Sequence, residues 1–252
     1  MAAFHVVIPA RYGSKRLPGK VLRELAGRPM VEHVWRRAGE SGAASVTIAT
    51  DDRRVCAAAR RFGARSCLTR ADHASGTDRV NETAQRLGWE DDAIVVNVQG
   101  DEPLMPPPLI AQVADALAAD AHADLASART RIADSAAWSD PNVVKVVCDA
   151  YGRALYFSRA PIPWARDECS RIGGLPGAGA WRHIGIYAYR VGTLRRLSAS
   201  PPCALERTEA LEQLRAQWQG MRIRVVDALA VPEAGVDTEA DLVRAEALLS
   251  SQ

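Results

Sequence analysis

The sequence lacks the features that mark a membrane-spanning or disulfide-stabilised protein. It contains no apolar run long enough to cross a bilayer. Its 5 cysteines are odd in number and none belongs to a Cys-x-x-Cys pair, which argues against a disulfide framework and against a zinc site. The first residues show no basic segment followed by an apolar one, so no secretory signal is expected. These absences together predict a cytoplasmic protein that does not associate with a membrane.

An excess of one charge is also absent. The chain has 32 Lys and Arg residues against 30 Asp and Glu residues, a net charge of +2 at pH 7. This balance gives no support to nucleic-acid binding, and no nucleic-acid-binding module is recognisable. A chain of 252 residues is long enough for one domain with a large core. We therefore predict a single domain over residues 1–252 and no nucleic-acid partner.

Apolar runs alternate with segments of helical periodicity, which is typical of a mostly parallel sheet covered by helices. Strands are predicted at 5–9, 45–49, 93–98 and 125–128. Helices are predicted at 29–41, 51–62, 77–87, 106–119, 204–217 and 239–249. Asp51 and Thr77 suit the N-cap positions of two of these helices. The fold class is therefore α/β.

The character of the sequence changes at about residue 140. Two β-type segments, 143–147 and 155–157, flank the turn sequence at 149–152, and this arrangement predicts a hairpin. The glycine-rich segment 167–180 predicts a loop, and 181–189 returns to strand character. We interpret residues 140–190 as a β-rich insertion in the α/β domain, not as a domain that folds by itself.

The loop after the first predicted strand is rich in cations. Residues 8–20 contain Arg11, Lys15, Arg16 and Lys20 together with two glycines. Arg and Lys neutralise phosphate oxygens, and ligands of open α/β sheets bind beyond the carboxyl ends of the strands. The loop matches neither G-x-x-x-x-G-K-[ST] nor G-x-G-x-x-G. It predicts a polyphosphate-binding loop of another type, and the alternative is a solvated basic loop.

Two carboxylates, Asp101 and Asp237, each follow a short apolar run. Oxygen ligands suit Mg²⁺, and two aspartates at strand ends could hold one metal between them. The alternative is a turn or cap role for each of them, with Thr238 as a competing cap residue. Segment 75–79 is similarly open, because a helix start either offers N–H groups to a ligand or is simply capped.

A set of short motifs gives the sequence a specific resemblance. It resembles the 3-deoxy-manno-octulosonate cytidylyltransferase family, also called CMP-KDO synthetases, over almost its whole length. The motifs are VIPARY (7–12), RLPGK (16–20), TRADH (69–73), SGT (75–77), VNVQGDEP (96–103), NVVKVV (142–147), ALYFSR (154–159), IPW (162–164), RHIGIY (182–187), LEQLR (211–215) and GVDT (235–238).

The resemblance implies an activity and an architecture. The activity is Mg²⁺-dependent transfer of CMP from CTP to the anomeric hydroxyl of 3-deoxy-manno-octulosonate (KDO), which releases pyrophosphate and supplies CMP-KDO for lipopolysaccharide. The architecture is a single Rossmann-like nucleotidyltransferase domain whose β-rich insertion helps to build a homodimer. CTP and KDO are then the small-molecule partners.

The resemblance also assigns roles to individual residues. Catalytic roles go to Arg11, Lys20, Asp101 and Asp237, and the last two would hold the Mg²⁺. Nucleotide binding is expected of Ala10, Arg11, Ser14, Lys20, Ser75, Gly76, Arg79 and Gln99. Sugar binding is expected of Arg16, Arg159, Arg166, His183, Tyr187, Glu212 and Gln213. Without the resemblance, a lone histidine such as His183 would be taken as structural, and Glu212 and Gln213 as positions on an amphipathic helix.

Two positions depart from the family pattern. A small hydroxyl residue is common where Lys15 stands, and a proline is common where Val21 stands, so Lys15 is given no role. Three rival functions stay open at this point. One is the same reaction on an amino analogue of KDO or on a sialic acid. Another is nucleotide binding without turnover, and the third is nucleic-acid binding.

Overall fold

The computed structural model of the chain describes residues 2–14, 17–164, 166 and 179–250. In these residues the main sheet has nine strands, in the order β11-β7-β10-β6-β1-β4-β5, with β8 paired to β10 and β9 paired to β8. The strands are β1 (Phe4–Pro9), β2 (Glu24–Leu25), β3 (Arg28–Pro29), β4 (Ser45–Thr50), β5 (Arg65–Leu68), β6 (Ile94–Asn97), β7 (Leu125–Arg131), β8 (Lys145–Cys148), β9 (Ala154–Ser158), β10 (Trp181–Arg190) and β11 (Ile223–Asp227).

Helices cover both faces of the sheet. They are α1 (Met30–Gly39), α2 (Arg53–Arg61), α3 (Gly76–Arg86), α4 (Pro107–Ala119), α5 (Ser135–Ser139), α6 (Val191–Ser198), α7 (Ala204–Glu209), α8 (Gln213–Trp218) and α9 (Glu239–Ser250), and a short 3-10 turn spans Lys20–Leu22. No helix in the described part of the chain is long and apolar enough to cross a membrane.

The central strand β1 has apolar side chains on both faces, as expected for a parallel strand covered on each side. Val6 and Ile8 belong to the core under α1, α2 and α4. Val7, which points the other way, belongs to the core under α3 and α6. This two-sided burial explains why the sequence of β1 is continuously apolar and does not alternate.

The strand order creates a switch point beside β1. The chain runs from β1 to β4 and β5 on one side, and then returns to β6 on the other side of β1. β1 pairs in parallel with both neighbours. Crevices at such points, beyond the carboxyl ends of the strands, are where α/β sheets bind ligands. The loops after β1 and β6 therefore define the expected site.

The predicted α/β class is confirmed, and so is the hairpin, since β8 and β9 pair as antiparallel strands. Seven elements were missed, namely the 3-10 turn, β2, β3, β5, α5, α6 and β11. β5 and β11 are short edge strands, half-exposed in places, which weakens their apolar pattern. Most of the predicted loop 167–180 lies outside the described residues.

Two predicted helix caps are wrong by one or two residues. Asp52, not Asp51, accepts from the backbone N–H of Arg54 at the start of α2. Ser75, not Thr77, accepts from the N–H of Asp78 at the start of α3. In each case the true cap has extended backbone, which an N-cap requires.

The single helix predicted over 204–217 is also wrong. Ala210 adopts a left-handed conformation, with φ of 51°, and separates α7 from α8. A non-glycine residue in this conformation is uncommon. The break sets Glu212 at the start of α8, beside the sheet's carboxyl-end loops.

Candidate active site

A cleft of about 610 Å³ opens beside the carboxyl ends of β1 and β6, at the switch point. Its walls come from four loops, which follow β1, β5 and β6 or precede α9. The lining residues are Pro9, Arg11, Ser14, Lys20, Val21, His73, Ala74, Ser75, Gly76, Arg79, Gln99, Gly100, Asp101 and Asp237. The structure therefore brings together the predicted catalytic and nucleotide-binding residues, with one exception. Ala10 is fully buried beneath the cleft, where its backbone N–H donates to Ala49.

Gly100 allows the loops after β1 and β6 to touch. Its backbone N–H donates to the carbonyl of Pro9 at 3.3 Å. A Cβ at this position would lie 2.9 Å from the same carbonyl oxygen, closer than a methyl group can approach. Glycine is therefore required here for close backbone approach, and the motif that contains it has a physical explanation.

Lys20 holds the two predicted metal ligands together. Its Nζ lies 2.5 Å from Asp101 Oδ2 and 3.0 Å from Asp237 Oδ1. Burial disfavours the charge of this ammonium, but the attraction and hydrogen bonds of the two carboxylates outweigh that effect and raise the pKa of Lys20. Asp101 is 81 residues from Lys20 in the sequence and Asp237 is 217 residues from it. Both carboxylates thus converge on the same ammonium.

Asp237 reaches this position from a loop, not from a strand end as predicted. The preceding strand, β11, ends at Asp227, and the loop returns to the cleft because Val236 N–H donates to the carbonyl of Asp101 at 2.9 Å. Asp241 accepts from the backbone N–H groups of Asp237 and Thr238. These bonds fix the backbone that carries the Asp237 carboxylate. The alternative cap is present as well, since Thr238 Oγ1 accepts from Asp241 N–H.

Glu102 follows Asp101 directly in the chain. Its Oε2 atom is excluded from solvent and has no hydrogen-bond partner among the described residues. Burial, with a contribution from the charge of Asp101, raises the pKa of Glu102 to about 8. The sequence pointed to Asp101 as the functional carboxylate, and nothing in the sequence distinguished the buried state of its neighbour.

The cap of α3 and the strand end of β6 form the second wall of the cleft. Gln99 Nε2 donates to Asn97 Oδ1 at 3.1 Å, so the amide is oriented. Arg79 is nearly fully buried and donates to Thr69, to the carbonyl of Arg70 and to Asp51. Its guanidinium therefore supports the 69–70 loop as well as lining the cleft.

His73 was given no functional role from sequence, yet it lines the cleft. Its Nε2 contacts a carboxylate oxygen of Glu82, and Glu82 also accepts from Arg70 N–H and from Arg86. The only available signal was its position in the TRADH motif, two residues before Ser75. Because Glu82 belongs to α3, this contact fixes the orientation of the His73 ring in the wall of the cleft.

Three of the predicted sugar-binding residues, His183, Tyr187 and Glu212, lie near one another beside the cleft. His183 and Tyr187 have ring centroids 5.3 Å apart. Burial raises the pKa of Tyr187, and Tyr189 and Glu212 add to that effect. Burial also raises the pKa of Glu212. Ser75 Oγ lies 3.4 Å from Glu212 Oε1, so the cap of α3 links this cluster to the cleft. Gln213, at the start of α8, is buried.

The predicted carboxylate-binding arginines are placed differently from one another. The side chain of Arg159 donates to the carbonyls of Glu209 and Pro141 at 2.6 and 2.8 Å. Glu209 in turn accepts from Ser158 and from the Arg159 N–H, so it joins β9 to α7. Arg166 is exposed, and Arg16, like Lys15, lies outside the described residues.

The resemblance to cytidylyltransferases implies a Mg²⁺ ion, and the oxygen donors of Asp101 and Asp237 are of the type that this ion prefers. Among the described residues, no group of three or more His, Cys, Asp or Glu side chains converges. Nucleotide-bound Mg²⁺ needs fewer, because one or two carboxylates plus substrate phosphates and waters complete its octahedron. Asp101 and Asp237 already share one cation, and both line a cleft open to a ligand.

Comparison with known proteins finds that the chain is similar to cytidylyltransferases. The cytidylyltransferase family model matches residues 5–223. The 3-deoxy-manno-octulosonate cytidylyltransferase of Pseudomonas syringae pv. syringae is 56% identical over 250 residues, which is 98% of each chain. That of Hahella chejuensis is 55% identical over 252 residues, 99% of each chain. A structure of CMP:2-keto-3-deoxy-manno-octonic acid synthetase complexed with CTP superposes with a TM-score of 0.90, at 40% identity and 99% coverage of both chains.

Proposed function

The chain belongs to the cytidylyltransferase family, and on that premise we propose that it transfers CMP from CTP to KDO. The observation that carries the proposal is the cleft at the switch point, where Arg11, Lys20, Asp101 and Asp237 meet beside a helix cap and a polar wall. Relatives with full-length identity of 55–56% carry the name of that activity. The similar solved structure contains CTP.

In the reaction, the anomeric oxygen of KDO forms a bond to the α-phosphorus of CTP. The bond from that phosphorus to the bridging oxygen breaks, pyrophosphate leaves, and the hydroxyl proton passes to solvent. Such transfers depend mainly on positioning and on stabilisation of charge. Arg11 and Lys20 are two of the cations that line the cleft, and they would bind the triphosphate and stabilise the charge that moves onto pyrophosphate.

We propose that Asp101 and Asp237 hold Mg²⁺ when CTP is bound. The ion would neutralise phosphate charge and lower the pKa of the attacking hydroxyl. The chain's own contribution is the preset spacing of the two carboxylates, which Lys20 maintains at 2.5 and 3.0 Å from its ammonium. With the two carboxylates engaged by a metal, the Lys20 ammonium would be available to the phosphates.

The cytosine and ribose would occupy the wall formed by Ser75, Gly76 and Gln99. Gly76 leaves room for the Gln99 amide, because a Cβ there would approach it to 3.4 Å. An amide donates and accepts, so it can pair with the polar edge of a pyrimidine. Ser14 would contribute from the loop after β1, where its Oγ already accepts from Leu17 N–H, whereas Ala10 is buried beneath that loop.

The acid sugar would bind in the cluster of His183, Tyr187, Glu212 and Gln213. The link from Ser75 to Glu212 places this cluster beside the nucleotide wall. Arg159, Arg166 and Arg16 would bind the sugar's carboxylate. Arg159 keeps N–H groups for this purpose, since a guanidinium has five and the described contacts use fewer.

We further propose a cytoplasmic homodimer that supplies CMP-KDO for lipopolysaccharide. The described cysteines are free thiols, which suits a reducing compartment. Leu155 on β9 and Tyr151 in the preceding turn expose 62% and 73% of their surface. Exposed apolar side chains on a projecting hairpin are suited to a protein contact.

Pyrophosphate release tests the activity. The purified chain is assayed with CTP and Mg²⁺ against a panel of acid sugars, with ATP, GTP and UTP as controls. Release with CTP and KDO supports the proposal. Release with CTP and an amino analogue of KDO or a sialic acid reassigns the sugar site, and no release with any pair refutes the proposed activity.

A substitution of Asp101 tests whether this residue is a Mg²⁺ ligand. Asp101→Asn should reduce Mg²⁺-dependent turnover by about 100-fold or more, because a carboxylate ligand is lost. The matched control is Asp91→Asn, which removes a surface partner of Arg195 outside the cleft. Near-normal turnover of Asp101→Asn would contradict the assignment.

A further inference from the structure

The strand that carries His183 contains an irregularity at the sugar cluster. In the pairing of β10 with β7, Ile184 is opposite Ala128 and Tyr187 is opposite Ser127. Two residues of β10, Gly185 and Ile186, therefore have no partner on β7, and the strand contains a bulge of two extra residues. Bulges turn side chains and free backbone groups from the ladder.

Ser127 satisfies the groups that this bulge frees. Its Oγ lies 2.9 Å from the carbonyl oxygen of Ile186 and 3.2 Å from that of Ile184. The same Oγ lies 2.8 Å from Nε2 of His183. Ser127 is fully buried, so water does not supply alternative partners.

The number of hydrogens that these atoms can donate determines which nitrogen of the imidazole is protonated. A serine hydroxyl has one hydrogen to donate, and a carbonyl oxygen only accepts. If the hydroxyl donated to the imidazole, its lone pairs would face both carbonyl oxygens in a buried site. The hydroxyl therefore donates to a carbonyl and accepts from the ring, which requires a hydrogen on Nε2.

We propose that Ser127 is a positioning residue that fixes His183 in its neutral Nε2–H tautomer, so that Nδ1 accepts a hydrogen bond from a hydroxyl of the acid sugar. The inference rests on the proposed function, because that function supplies the sugar. Nδ1 has no hydrogen-bond partner among the described residues. The site therefore selects a sugar group that donates a hydrogen and rejects one that only accepts, such as a ketone or an ether.

The other contacts of the His183 ring are consistent with a neutral imidazole. Phe157 packs edge-on against the imidazole with centroids 4.9 Å apart, and Tyr187 packs on it at 5.3 Å. Burial, with the charge of Arg182, lowers the pKa of His183 to about 3. The ring is thus neutral at the pH of the cytoplasm, and it has one donor and one acceptor nitrogen.

Nitrogen NMR of the full chain labelled in its histidines tests the tautomer without any need for activity. In the unliganded protein at neutral pH, we expect His183 to show a protonated Nε2 and an unprotonated Nδ1, and KDO should shift the Nδ1 resonance. In Ser127→Ala, the His183 signals should show exchange between tautomers. A protonated Nδ1 in the natural protein would refute the proposal whatever the enzyme's activity.

Kinetics test the positioning role. Ser127→Ala should raise KM for KDO by roughly tenfold, the effect of one hydrogen bond, with KM for CTP and kcat nearly unchanged. The matched control is Ser45→Ala, because Ser45 Oγ bonds a ring nitrogen of His5 at 2.8 Å on the same sheet, away from the cleft. An equal loss in kcat and both KM values would overturn the proposal in favour of a purely structural serine.

If Ser127→Ala does not fold, two substitutions of His183 test the proposal instead. An asparagine side chain can place an oxygen near the Nδ1 position, whereas glutamine reaches the Nε2 position. His183→Asn should therefore retain more affinity for KDO than His183→Gln. The reverse order would refute the tautomer. If the natural chain released no pyrophosphate with KDO, the proposed function would fail while the NMR result on the tautomer would still stand.

Discussion

Lys20 is the counter-ion of both cleft carboxylates, and its ammonium occupies the position that a metal would take. The ion pair is partly solvated, since the Asp101 and Asp237 side chains expose 33% and 47% of their surface. Such a pair contributes little to stability by itself. We propose that it keeps two like charges together before the substrates bind, so that a metal would enter a preset site.

Lys20→Met should change how the protein responds to Mg²⁺ in the absence of CTP. Two carboxylates would then face each other without a counter-ion, which costs on the order of 1 kcal/mol of folding free energy. Mg²⁺ should relieve this repulsion without competing with an ammonium, so it should raise the melting temperature of the variant more than that of the natural protein.

The matched control for this prediction is Arg23→Met. It removes another cation of the 3-10 turn region, whose partner is Glu239, outside the cleft. Its melting temperature should respond to Mg²⁺ as the natural protein does. Equal Mg²⁺ responses of Lys20→Met and the natural protein, measured by scanning calorimetry, would show that the carboxylates do not share a metal.

His183 makes the stability of the protein dependent on pH. Burial lowers its pKa from the ordinary value of 6.5 to about 3, so between these values the unfolded chain binds more protons than the folded one. Stability is complete above about pH 6.5 and falls as pH falls toward 3. At pH 5 this histidine should cost about 2 kcal/mol relative to neutral pH.

Denaturant unfolding at pH 7 and pH 5 measures this cost. His183→Gln should lose less stability between the two pH values than the natural protein does, by about that same 2 kcal/mol. The exposed His122, replaced by Gln, serves as the control and should follow the natural protein. Parallel losses in all three proteins would show that His183 is not held neutral by the fold.

At the scale of elements, the site depends on how two loops meet. The loops after β1 and β6 touch through Pro9 and Gly100, and the break at Ala210 lets a new helix, α8, begin directly after Glu212. A buried ion pair between Arg215 and Glu206 then fastens α8 to α7. The walls of the cleft and of the sugar cluster are therefore positioned by the ends of strands and helices.

Gly100→Ala should separate the ends of β1 and β6. The new methyl group would stand 2.9 Å from the carbonyl oxygen of Pro9, which is backbone and cannot turn away. Overpacking of this kind costs about 1–3 kcal/mol. We expect a lower denaturation midpoint and loss of the rise in melting temperature that CTP produces.

The control is Gly39→Ala at the end of α1, where a Cβ would meet nothing within 4 Å. Alanine is favoured over glycine in a helix, so this variant should be at least as stable as the natural protein and keep its response to CTP. A Gly100→Ala variant that binds CTP normally would show that the close approach is not required.

At the scale of the whole molecule, the β8–β9 hairpin extends the sheet beside β10 and leaves apolar groups exposed. Leu155 on β9 exposes 62% of its surface, although its neighbour Phe157 is fully buried. The ring of Phe157 contacts that of His183 in the sugar cluster, at 4.9 Å between centroids.

Leu155→Asp should convert the proposed homodimer to a monomer, because a carboxylate buried in an apolar contact is desolvated without a partner. The mass in solution, measured by light scattering after gel filtration, reports the change. Val243→Asp, on α9 and exposed to 66%, is the control and should not alter the mass. A monomeric natural protein, or an unchanged mass for Leu155→Asp, would contradict the proposed interface.

The α/β class, the central strands and most of the residues that line the cleft were predictable from the sequence. These follow from local patterns: buried parallel strands are continuously apolar, and the cleft residues stand directly after them, as Arg11 and Asp101 do. The same local patterns gave approximate helix positions but misplaced the caps, since Asp51 and Asp52 are chemically alike and only backbone conformation separates them.

Tertiary structure alone decided which distant groups meet. Asp237 reaches Asp101 and Lys20 from a loop that no periodicity predicts, because a backbone bond from Val236 to Asp101 draws it back to the cleft. The pairing of Ser127 with His183 depends on a bulge that is set by the register of two strands. Long-range contacts of this kind arise from packing and closure of the chain, which a local sequence pattern does not encode.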